Sequence, residues 1–95
     1  MKINFDYQLV DDNDVPVQEN DKPVSVAKVL KRAVLAVEDK QNKLELFELF
    51  IKLKSADSNT EFTVQEVALL DKAIAVYPVL IFGQLSYLLS NKQTQ

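Results

Sequence analysis

The residue types that carry most protein chemistry are missing from this chain. Its 95 residues include no histidine and no cysteine, which removes the commonest general base, the best nucleophile and every thiolate metal site. Oxygen ligands remain in two clusters, Asp11-Asp12-Asn13-Asp14 and Asp57-Ser58-Asn59-Thr60-Glu61, of the kind that hold calcium. An EF-hand loop needs a glycine for its sharp turn and a glutamate at its twelfth position. Counted from Asp57, Phe62 stands where that glycine belongs and Ala68 where the glutamate belongs. The first cluster fails the same test. Both are read as solvated turns, and neither metal nor cofactor is expected. Acid–base catalysis by paired carboxylates needs a pocket and unlike surroundings, and no pair is placed for it. Tyr7, Tyr77 and Tyr87 fall at apolar-patterned positions and are assigned to packing. The chain is expected not to be an enzyme and to have no small-molecule substrate.

Cations offer a second chemistry. Lys28, Lys31 and Arg32 form a candidate basic patch, extended by Lys40 and Lys43, and two helices joined by a short break suggest a helix-turn-helix. DNA readers show a strong basic footprint, whereas this chain carries a net charge of −3. The second helix would bring Glu45 and Glu48 to a groove, and the loop after it exceeds the three- to four-residue turn of the motif. A small DNA-associated transcriptional regulator is therefore the alternative reading, and nucleic acid the less favoured partner. Charge is uneven: residues 1–23 hold six acids against two lysines, residues 24–54 seven Lys/Arg against four acids.

These residues must be positioned by an α+β fold, mainly α. Ile3, Phe5, Tyr7 and Leu9 alternate with polar residues, the period of a half-buried strand. The acidic turn and Val15-Pro16-Val17 follow, so residues 1–18 are predicted to form an N-terminal β-hairpin, with Gln18 to Pro23 a polar connector. Three to four helices are predicted over residues 25–90. Ser25 is the N-cap of the first, whose Val26, Val29, Leu30, Ala33, Val34 and Val37 recur at helical spacing. The second spans Lys43 to about Ser55. Thr63 and Glu66 have the spacing of a capping box for the third, and Phe62 just before it is expected to anchor the loop. Pro78 either kinks that helix or sits in the first turn of a fourth. Residues 91–95 read as a flexible tail.

Residues 43–53 dominate this layout: seven of the eleven are large and apolar, too wide a face to be covered on one side. They predict a central helix. Phe47, Phe50 and Ile51 are expected inside. Leu46, Leu49 and Leu53, with Leu35, Leu69 and Val76 elsewhere, are candidate interface residues, because so short a chain has little interior for all its apolar faces. The expected partner is a protein, first of all a second copy in a homodimer. No run of about 18 apolar residues is present and no signal-peptide layout opens the chain; a cytoplasmic location without membrane contact is expected.

The opening Lys2-Ile3-Asn4-Phe5-Asp6, the acidic turn at 11–14, the helix start Val24-Ser25-Val26-Ala27-Lys28-Val29-Leu30 and Tyr77-Pro78-Val79-Leu80-Ile81-Phe82-Gly83-Gln84 together resemble small proteins of unassigned role from tailed-phage and prophage genomes. That resemblance implies an accessory role, in assembly or host interaction, inside a bacterial cell. It brings no functional residues with it.

Overall fold

A computed structural model of the chain describes residues 1–38 and 41–90. Two short strands, β1 (Gln18–Glu19) and β2 (Lys22–Pro23), precede four helices: α1 (Val26–Ala36), α2 (Lys43–Lys54), α3 (Val64–Ala73) and α4 (Val79–Ser90). A 3-10 turn, Ile74–Val76, lies between α3 and α4. The α+β, mainly α class expected from the sequence is the class found. The predicted tail at 91–95 lies outside the described residues.

Helix boundaries follow local chemistry. Ser25 is extended (φ −80°, ψ 153°) and its Oγ accepts from the Lys28 N–H at 3.1 Å. Thr63 and Glu66 form the full capping box: Thr63 Oγ1 accepts from the Glu66 N–H at 3.1 Å and Glu66 Oε1 from the Thr63 N–H at 2.8 Å. Pro78 resolves the choice at the end of the chain. Tyr77 is extended, and the Pro78 carbonyl accepts the first bond of α4 from the Phe82 N–H at 2.9 Å. A separate fourth helix results, because proline lacks the N–H that would continue the third.

The hairpin is displaced from its expected place. Its ladder is β1–β2, inside the segment read as a connector, closed by Asn20 and Asp21 at φ 54° and 64°. Positive φ at both central residues is what a two-residue type I′ turn requires, and Asn and Asp are the non-glycine residues that tolerate it best. Around the acidic turn only the Val10–Pro16 bridge forms, since Pro16 has no donor to extend a ladder. Asp11 Oδ1 accepts from the Asn13 and Val15 N–H groups and Asp14 takes φ 62°, so these acids build the turn. Residues 1–9 keep the alternation, with Ile3 and Leu9 buried, but bend at Phe5–Asp6 and bond the α2–α3 loop. Lys2 bridges Glu61, and the Phe5 N–H donates to Ser58 Oγ at 3.0 Å. Phe62, 3% exposed, anchors that loop and stands 6.0 Å from Phe5, ring to ring.

The central helix is α1, not α2. It packs against α2, α3 and the 3-10 turn, while α3 and α4 pack on each other and on that turn. Its buried stripe of Val26, Val29, Leu30, Ala33 and Val34 has short side chains that admit neighbours from several sides. One cluster joins these to Ile3, Leu9, Phe62, Leu70, Ile74 and Leu85. The radius of gyration is 12.8 Å, the value expected of a single domain of about 100 residues. Among the described residues no helix is long and apolar enough to cross a membrane.

Candidate functional site

Most of the exposed large apolar residues lie on two helix faces, with Val15, Val64, Val76 and Phe82 apart from them. The first is on α4, which has no charged residue between Val79 and Ser90. Leu85, Leu88 and Leu89 are buried; on the opposite side Val79 is 87% exposed, Leu80 44% and Tyr87 56%. Gly83 lies between them, and a Cβ added there would meet nothing within 4 Å. With Tyr7 these residues line an open groove of about 350 Å³.

Gln84 fixes this groove to the N-terminal segment. Its Oε1 accepts from the Val10 N–H at 2.9 Å and the Tyr7 hydroxyl at 3.2 Å. Its Nε2 donates to the carbonyls of Val10 at 2.9 Å and Leu80 at 3.1 Å. The carboxamide is fully occupied, leaving the groove to select an apolar occupant. No motif or spacing in the sequence marks Gln84 for this role. Its only signal is that it is the lone amide in an uncharged, mostly apolar helix.

The second face is the outer side of α2. Leu44, Phe47 and Ile51 are 66%, 58% and 47% exposed, with Leu35 of α1 at 63%. Leu46, Leu49 and Leu53, expected at an interface, are buried in the chain's own core, and Phe47 and Ile51, expected inside, are on the surface. Phe50 is half-buried against the core. The helix carries two apolar stripes, each at i, i+3, i+7, and its periodicity alone does not say which of them meets α1. Leu46, Leu49 and Leu53 form the buried side of α2, the helix that packs on α1. Of the other candidates, Leu35 and Val76 are exposed and Leu69 is half-buried.

Of the basic patch, Lys28 and Arg32 are paired within the chain, Lys43 is exposed, and Lys40 lies outside the described residues. Glu19 of β1 takes Arg32 through both carboxylate oxygens, at 2.5 and 2.7 Å, and Lys28 at 3.1 Å. The hydrogen bonds from Arg32 and then Lys28 hold the Glu19 carboxyl down at about 2. Lys31 is half-buried. Lys52 is structural as well: its Nζ donates to Glu66 Oε1 at 2.8 Å and to the Glu61 carbonyl, and sits 4.5 Å above the Phe62 ring. Burial pushes the Glu66 carboxyl up, but the bonds from Lys52 and Thr63 outweigh it and leave it below its ordinary value. Burial raises the Tyr77 phenol, whose hydroxyl donates to the Val29 carbonyl at 2.7 Å.

Among the described residues no three His, Cys, Asp or Glu side chains converge as a metal site. Asp57, like Asp11, serves its own turn, its Oδ1 accepting from the Asn59 N–H at 2.8 Å. The sequence matches no family model, no curated protein and no solved structure.

Proposed function

We propose that this chain is a small non-enzymatic interaction protein whose α4 groove receives an apolar segment of a protein partner. One observation carries the reading: an uncharged helix holds Val79, Leu80 and Tyr87 in solvent beside a groove whose polar group is already satisfied. Leaving such residues exposed forgoes part of the about 1.5–3 kcal/mol that full burial of a large apolar side chain is worth, and a large contiguous apolar patch marks a contact site. In line with the phage-type layout, we assign an accessory role in assembly or host interaction in the bacterial cytoplasm, with a second copy of the chain as a further partner. No observation favours the DNA-associated regulator, since Lys28 and Arg32 are engaged by Glu19.

The test compares partner capture by the protein and by its Leu80→Glu/Tyr87→Glu variant. Both positions are exposed, so helical content should be unchanged. Loss of the captured partners is expected; identical capture by the two proteins would sink the reading. Binding to duplex DNA that weakens steeply with salt would instead move it to the regulator.

A further inference from the structure

Leu44, Phe47 and Ile51 are spaced i, i+3, i+7, the a, d, a positions of a heptad, and all three point away from the core. With Leu44 at a, Lys43 takes position g and Glu48 position e. In a parallel two-stranded pair, a g residue lies beside the e residue five positions further along the partner helix. Lys43 and Glu48 are five apart and opposite in charge. Within one helix that separation does not bring side chains together, and neither residue has an ion-pair partner among the described residues. Both are exposed.

We propose that α2 pairs in parallel with α2 of a second copy of this chain, with Leu44, Phe47 and Ile51 as the seam and Lys43–Glu48 bridges on both flanks. The inference rests on the reading of the chain as an interaction protein but uses a face separate from α4. Scaled by side-chain size, the exposed parts of Leu35, Leu44, Phe47 and Ile51 come to on the order of 400 Å², about half of what one partner contributes to a standard interface. The remainder comes from the charged flanks of α2, which form the polar rim around this apolar centre. A two-fold axis along the seam also suits an acidic chain. It sets Lys43 against Glu48 twice instead of bringing like charges together.

Light scattering after gel filtration, over a broad concentration range, should show a dimer. Phe47→Glu, and independently Ile51→Glu, should raise the dimer dissociation constant at least about thirtyfold, as expected for a central seam residue, with helical content unchanged. Lys43→Glu should weaken the dimer by setting two carboxylates together, and adding Glu48→Lys should restore it. Because the chain has no cysteine, Leu44→Cys gives a clean register test: the parallel pair should oxidise to a disulfide-linked dimer. A monomer throughout, a dimer indifferent to Phe47→Glu and Ile51→Glu, or a dimer in which Leu44→Cys does not cross-link would overturn the proposal. Leu80→Glu/Tyr87→Glu should leave the dimer intact, so the α4 reading and this one fail separately.

Discussion

The carboxamide of Gln84 pairs both backbone groups of Val10 and accepts the Tyr7 hydroxyl. Gln84→Ala leaves three partly buried polar groups to find water and loosens the N-terminal segment from α4. The expected loss is about 2 kcal/mol, the scale of unsatisfied buried donors and acceptors; a urea midpoint equal to that of the unchanged protein would contradict this role. Glu19 gives a prediction in pH. Its carboxyl is lowered from 4.5 to about 2 in the folded chain, so its contribution is complete above the unfolded value and is lost as pH falls through the folded one. Thermal melts at about pH 5 and about pH 2.5 should differ less for Glu19→Gln than for the unchanged protein. The difference should shrink in high salt, because the cluster is exposed. An equal acid response in the two proteins would remove Glu19 from the account.

At the scale of the element, α4 holds a contradiction between stability and surface. Glycine inside a helix costs about 0.5–1 kcal/mol relative to alanine, yet at Gly83 an added Cβ meets nothing within 4 Å. Gly83→Ala should therefore raise unfolding stability by about that amount, read as an upward shift of the melting temperature. If the groove receives a partner, the same methyl should weaken partner capture; a variant both more stable and equally competent would mean that the glycine serves no contact. β1–β2 shows a second kind of compromise. Asn20 and Asp21 both accept positive φ, which places Glu19 opposite Lys22 and within reach of Lys28 and Arg32 on α1. A sheet of two two-residue strands thus holds the carboxylate that pairs with both Lys28 and Arg32.

For the whole molecule, the decisive division runs through α2. Leu49 is 1% exposed and Phe47 58%, two residues apart in one helix. Leu49→Ala should cost about 2–5 kcal/mol as a core cavity, and Phe47→Ala should change monomer stability by no more than about 0.5 kcal/mol; denaturant unfolding of dilute protein separates them. Much of the fold could be read without coordinates: the Ser25 cap, the Thr63–Glu66 box, the break at Pro78, the anchoring of Phe62 and the stripe of α1. The two caps and the break at Pro78 are set by groups within a few residues of one another, where spacing alone brings donor to acceptor. Phe62 and the α1 stripe are legible because a lone aromatic in a polar loop and an apolar period of 3.6 both mark burial. The faces were legible only in part. Leu35 and Val76 are exposed, but Leu46, Leu49 and Leu53 face the core while Phe47 and Ile51 face solvent, the reverse of the expectation, and no motif in the sequence marks Gln84. Lys28 and Arg32 look free in the sequence because Glu19 reaches them only after the hairpin folds back. Composition and local spacing determined that this is a mainly helical domain with more apolar surface than its interior needs and no histidine or cysteine chemistry. Which surface is left over was decided by packing. Helical periodicity repeats around the whole circumference of α2, and only contact with α1 distinguishes its inside from its outside.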